Sequence, residues 1–212
     1  FAQASHHIQT TPVCHPQRGA IEVAPVARPP RRPEMMRQRL FCAPHQHLVL
    51  LTMGGLGGLG LQTEQRAAVA PLLRQRNTVF VFTGCSQENE FSENLRFLAQ
   101  DGPWYHPDLV AAADLVVGKT GYSTVAEAYQ ANTAYAMLPR PGFREASVLE
   151  AFVDRHLLSW KTELDALVSG AWLAQLARLS ATKPTRPMPV NGADQIADLL
   201  LSLLSRTPHG PS

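Results

Sequence analysis

The chain has 212 residues, 45% hydrophobic and 17% charged, enough for one substantial α/β core or one core plus an appendage. Its formal net charge of +2 is too small to make nucleic acid the main partner, and no stretch approaches the roughly 20 apolar residues of a membrane-spanning helix. Cys14, Cys42 and Cys85 are widely spaced, odd in number and without a C-x-x-C pair, which argues against a disulfide framework or zinc ribbon and fits reduced thiols in the cytoplasm. No signal peptide is apparent, and the chain opens on Phe1 rather than Met, so a fragment of a longer chain is expected.

Residues 1–19 are polar. His6, His7, Cys14 and His15 match no standard metal-ligand spacing, and the segment reads as poorly ordered or as the tail of a missing domain. Ile21 to Ala27 alternates apolar and polar residues like a strand. Pro29, Pro30 and Pro33 follow as an extended linker, and Arg28, Arg31, Arg32, Arg37 and Arg39 cluster around it without interleaved aromatics, as a solvated charge run. Pro33 to Phe41 is helical in pattern, with Met35, Met36 and Leu40 on its apolar side.

His47 to Met53 is the first strong strand. Its continuous run Leu48 to Leu51 suits a parallel sheet covered on both faces. It delivers a glycine string, Gly54 to Gly60, and Thr63 starts a helix through about Arg74 with Val69, Leu72 and Leu73 facing the core. The string fits neither the Rossmann fingerprint in a clean register nor a Walker loop, because Gly60 is not followed by Lys and Ser or Thr. Thr78 to Thr83 is the second strand, Gly84 to Ser92 a polar loop, and Leu95 to Leu98 the third strand. Trp104-Tyr105-His106-Pro107 leads into a short helix over Asp108 to Ala112.

The next stretch organises the chain: Leu115-Val116-Val117 as a buried strand, Gly118-Lys119-Thr120-Gly121 as a tight turn, and a helix carrying Val125, Ala126 and Ala128. Gly118 and Gly121 permit positive φ and close approach to the backbone, and Ser123 or Thr124 can cap the helix. A helix start offers unpaired N–H groups and positive potential to a phosphate, and Lys119 adds a full charge there. Glu127 lies one turn further on, where a carboxylate can accept hydrogen bonds from a ribose diol. The chain continues with a strand, Ala134 to Leu138, a loop through Arg144, and a helix from Glu145 to Val153. Ser159 to Leu179 reads as helix broken at Gly170, with Leu164, Leu167, Trp172, Leu173, Leu176 and Leu179 on its core face. Pro184, Pro187 and Pro189 form a second linker, and Asn191-Gly192-Ala193 opens a last helix whose apolar residues are Ile196, Leu199, Leu200, Leu203 and Leu204.

The Gly121, Thr124, Val125, Glu127 pattern, followed by a strand ending in Pro139, resembles the nucleotide-sugar signature in the C-terminal half of GT-B fold glycosyltransferases. The nearest branch is the MurG-like one, which attaches N-acetylglucosamine to a lipid-linked acceptor. The string Gly118-Lys119-x-Gly121-Tyr122-x-Thr124-Val125-x-Glu127 also resembles the glycosyltransferase-like half fused to some sugar kinases. The resemblance covers roughly residues 21 to 204. It implies a Rossmann-like parallel sheet with helices on both faces. It also implies a division into residues 1–32 (remnant of an N-terminal domain and interdomain linker), 33–205 (donor-binding domain) and 206–212 (disordered tail).

For the site, the resemblance implies a nucleotide-diphosphate sugar, UDP-linked, as partner. Its diphosphate would meet Gly54, Gly55, Gly57, Lys119, Thr120, Gly121, Ser123 and Thr124, its ribose Glu127, and its base Tyr105 and His106. Core packing for Tyr105 and a hydrogen-bonded turn for His106 are equally good readings, and the glycines can be a packing turn. The sugar-holding pair of the family, Asp-Gln or Gln-Gln, is replaced here by Arg144 and Glu145, for which surface ion pairs are the alternative. No metal and no cofactor is expected, since the sequence has no Asp-x-Asp motif and the GT-B class generally works without one. The catalytic base of the family commonly sits in an N-terminal acceptor-binding domain that is missing here, and neither Asp108, Asp114 nor His106 can be promoted to that role. The implied protein is a donor-binding half of a hexosyltransferase, touching a membrane peripherally through its acceptor. A non-catalytic binding module, a sugar-nucleotide epimerase or hydrolase on the same fold, and a stand-alone subunit of a two-subunit transferase are the other classes.

Overall fold

The structure is a computed structural model, and residues 4–52, 70–179 and 187–206 are described. Strands β1 (Ile8–Thr10) and β2 (Ile21–Val23) form a small parallel pair, and α1 (Pro33–Arg39) follows the linker. The main sheet contains β3 (His47–Thr52), β4 (Thr78–Ser86), β5 (Glu90–Ser92), β6 (Leu95–Ala99), β7 (Leu115–Lys119), β8 (Ala134–Leu138) and β9 (Ser159–Lys161). Between and after them lie α2 (Ala70–Leu73), α3 (His106–Ala112), α4 (Tyr122–Ala131), α5 (Ala146–His156), α6 (Leu164–Ser169), a 3-10 helix over Ala171–Arg178, and α7 (Gly192–Arg206).

The sheet order is β5-β6-β4-β3-β7-β8-β9, and every pairing except β5 with β6 is parallel. Taking the parallel strands alone in chain order, this is the 3-2-1-4-5-6 arrangement of a doubly wound Rossmann-like sheet, as expected. Such sheets bury both faces, which explains the unbroken apolar runs. Leu48, Leu50, Val79, Val81, Val116, Tyr135 and Met137 point into one layer with α1, α3, α4 and α5. Val49, Leu51, Phe80, Phe82, Leu115, Val117 and Ala136 point into the other, closed by Leu72, Trp160, Trp172, Leu176 and Leu179. Alternate residues of one strand thus feed two cores.

Several expectations are corrected. Residues 8–10 are a strand within the segment read as tail. The polar loop at 84–92 instead continues β4 to Ser86 and turns into the antiparallel edge strand β5. The span 159–179 begins with a strand rather than helix, because Trp160 is pulled into the second core while Ser159 and Lys161 pair with Tyr135 and Met137. Gly170 does break the helical remainder of that span, between α6 and the 3-10 helix, at φ 79°. Helix α4 starts at Tyr122 with Gly121 as its cap residue and no side-chain cap bond, so neither Ser123 nor Thr124 caps it. Gly121 is extended there, and Gly118 likewise shows no positive φ. The predicted helix from Thr63 lies outside the described residues except for α2.

The linker is clamped from both ends. Asn191 Nδ2 donates to Ala27 O at 2.7 Å, Gly192 N donates to Pro25 O at 3.0 Å, and Gln195 Oε1 accepts from Ala24 N at 2.7 Å. Asp108, 4% exposed, takes the backbone N–H groups of Arg31 (2.5 Å) and Arg32 (2.9 Å) on one oxygen. A Cβ on Gly192 would sit 1.9 Å from Ala24 O. Gly192→Ala is therefore expected to lower stability by about 2 kcal/mol in urea unfolding, by forcing α7 off the linker. A midpoint equal to wild type would show that the clamp is loose.

Candidate active-site cleft

In a doubly wound sheet the crevice outside the carboxyl ends of the strands opens where the order reverses, here between β3 and β7. A cavity of about 300 Å³ lies there. Thr52 ends β3, Thr83 and Gly84 lie in the last part of β4, Leu98 and Ala99 end β6, and Gln100 follows it. Trp104, His106 and Leu109 come from the start of α3, Ser123, Thr124 and Glu127 from α4, and Arg28 from the linker. The uncapped start of α4 leaves its first-turn N–H groups without a side-chain partner beside Ser123 and Thr124.

Glu127 is the centre of the cleft's charge. It is 3% exposed, yet its carboxylate accepts three hydrogen bonds from two residues. Oε1 accepts from Arg28 Nε at 3.1 Å and Nη2 at 2.8 Å, and Oε2 accepts from His106 Nδ1 at 2.6 Å. A carboxylate can only accept, so His106 carries its proton on Nδ1. Its Nε2 lies 3.3 Å from Thr52 Oγ1. Burial pushes the Glu127 pKa up, but the His106 hydrogen bond and charge and then Arg28 outweigh it and hold the carboxyl below its ordinary value. Tyr135 beneath is pushed well above the usual phenol range, by burial first and by Glu127 second, and its OH donates to Lys119 O at 2.9 Å.

The expected site residues are not all brought together. Ser123, Thr124, Glu127 and His106 meet in the cleft. Lys119 ends β7 with an exposed side chain, Thr120 is fully buried with a hydroxyl that has no hydrogen-bond partner, and Gly121 precedes α4; none of the three lines the cleft. Tyr105 is half-buried under two guanidiniums, with Arg31 4.3 Å and Arg28 5.6 Å from its ring centre. Arg144 and Glu145 stand apart at the start of α5. Arg144 Nη2 lies 3.3 Å from His15 Nε2, and Glu145 is near enough to Tyr122 to help raise its pKa, after burial and Cys14. Here residues 12–15 cross the start of α4: Tyr122 OH donates to Pro12 O at 2.9 Å and lies 2.9 Å from Cys14 Sγ. Gly54, Gly55 and Gly57 lie outside the described residues.

Asp108 and Asp114 have structural roles. Asp108 holds the linker, and Asp114 Oδ2 accepts from Leu48 N at 2.8 Å and Arg37 Nη1 at 3.2 Å, tying α1 to β3. Sequence reasoning missed Arg28, placed in a solvated charge run. The available signal was its position after a segment in which Val23, Pro25 and Ala27 alternate inward and before Pro29 and Pro30, which fix where the side chain emerges. Among the described residues no group of three His, Cys, Asp or Glu side chains is placed to hold a metal. No described helix is long and apolar enough to cross a membrane.

No family model matches the chain. An L-arabinokinase of Arabidopsis thaliana is 31% identical over 117 residues, which is 55% of this chain and 11% of that protein. Among solved structures, MurG of Acinetobacter baumannii superposes with a TM-score of 0.61 at 16% identity, over 94% of this chain and 60% of its own. The calicheamicin glycosyltransferase CalG4 gives 0.58 at 18% identity, over 91% of this chain and 49% of its own. The chain thus spans a small part of the kinase and about half of each transferase. The fold is that of the GT-B glycosyltransferases, and the MurG-like type fits it.

Proposed function

We propose that the chain is the donor-binding domain of a glycosyltransferase-type enzyme, holding a nucleotide-diphosphate sugar, UDP-linked, in the cleft between β3 and β7. The observation that carries this reading is Glu127: a carboxylate one turn into the helix after β7, beside an uncapped helix start, at the reversal point of the sheet. A carboxylate suits a ribose diol, and helix N–H groups with Ser123 and Thr124 suit phosphate oxygens. In transfer, these donors would stabilise the departing diphosphate, while a second, acceptor-binding domain would supply the base that takes the acceptor's proton. A cytoplasmic setting and peripheral membrane contact through the acceptor belong to the same proposal.

The likeness to an L-arabinokinase favours a second reading, a nucleotide-sugar-binding module that works beside a sugar kinase without turnover of its own. Calorimetric titration with UDP separates both readings from a fold that has lost its ligand. One saturable site is expected, and no heat with either UDP or TDP sinks both. UDP release from a UDP-sugar by the full-length protein with acceptor present supports the transferase; binding without release supports the module.

A further inference from the structure

We propose that Arg28 is a specificity-determining residue of the cleft: it competes with a ligand's ribose diol for Glu127 and thereby selects nucleoside diphosphates over nucleosides. The inference rests on the cleft being a nucleotide-diphosphate site. A carboxylate offers about four lone-pair positions, and three of those on Glu127 are taken, two by Arg28 and one by His106. Two ribose hydroxyls cannot both bind until a partner leaves. His106 is held at both ring nitrogens and its side chain is 25% exposed, whereas the Arg28 side chain is 59% exposed on a flexible stem. Arg28 is the partner that yields.

Its backbone stays in place when it does. Ala27 is bonded on both sides to Asn191, and the N–H groups of Arg31 and Arg32 are bonded to Asp108. The released guanidinium therefore swings from a fixed Cα and remains at the cleft, where it is the only Arg or Lys among the described lining residues. A nucleoside takes Glu127 away and gives Arg28 nothing in return. A diphosphate supplies new oxygens that match the guanidinium fork.

The test measures uridine and UDP affinities by calorimetry for the wild type and for Arg28→Met, which keeps the apolar stem and removes the donors. In the variant, uridine is expected to bind about threefold to fivefold tighter, because its competitor is gone, while UDP gains nothing. The preference for UDP over uridine should therefore fall about threefold to fivefold. 2′,3′-Dideoxyuridine should show no such gain. Arg28→Lys, which keeps the charge, should retain more of the UDP preference than Arg28→Met, and this comparison stands should the methionine variant misfold. An unchanged preference, weaker uridine binding, or an equal gain for dideoxyuridine overturns the proposal. A wild type that binds UDP with an unaltered preference in the variants removes this inference alone, whereas a wild type that binds no UDP removes the proposed function and this inference with it.

Discussion

Gly118→Ala is expected to cost the domain about 3 kcal/mol or more, a large share of the roughly 5–15 kcal/mol that holds an ordinary domain together. Gly118 lies in β7 opposite Thr52 of β3, at the pairing where the sheet order reverses. A Cβ built on it would fall 2.1 Å from Thr52 O, and that oxygen is main chain of a neighbouring strand, unable to rotate away. The two central strands would have to separate at the carboxyl end that forms the cleft. Gly121→Ala is the control, since nothing lies within 4 Å of its Cβ position and its φ of −125° suits any residue. Urea unfolding should show the first variant with a much lower midpoint and the second within about 1 kcal/mol of wild type. Equal midpoints would mean that the close approach of β3 and β7 is not there.

Glu127→Ala should reduce UDP affinity about 100-fold, by removing two charge-assisted hydrogen bonds to the ribose. A change of less than threefold would remove Glu127 from the ligand site. The same carboxylate makes stability depend on pH. Its folded pKa is depressed below the ordinary value of 4.5, so its stabilising contribution is fully present above that value and is lost as the pH falls through the folded pKa. Glu127→Gln, which keeps shape and loses charge, should flatten the fall in unfolding midpoint below about pH 4.5. An identical acid profile would show that the Arg28 and His106 contacts contribute nothing to folding.

Most of the sheet could be read from the residues because strands buried on both faces are continuous apolar runs. Leu48 to Leu51, Leu115 to Val117 and Ala134 to Leu138 all appear where expected. The three strands that were missed, β1, β5 and β9, have three residues each, too few for a period to show. Within the cleft, Glu127 was legible because its neighbours form a local pattern: turn, helix start, carboxylate. Arg28 was not, because its partner lies 99 positions away, and a run of arginines looks the same locally whether water or a buried carboxylate receives it. Lys119 was the opposite case. Its placement in the string suggested a phosphate ligand, but it is the last residue of β7, where its side chain is exposed and outside the cleft lining.

The join between residues 24–27 and the start of α7 sets an order of events during synthesis. Its hydrogen bonds span 164 to 171 positions, so the main-chain groups of an early segment find their partners only after nearly the whole domain has left the ribosome. A stalled nascent chain released before Asn191 would carry its two sheet cores but a linker fastened only at its Asp108 end, with Arg28 less firmly aimed at Glu127.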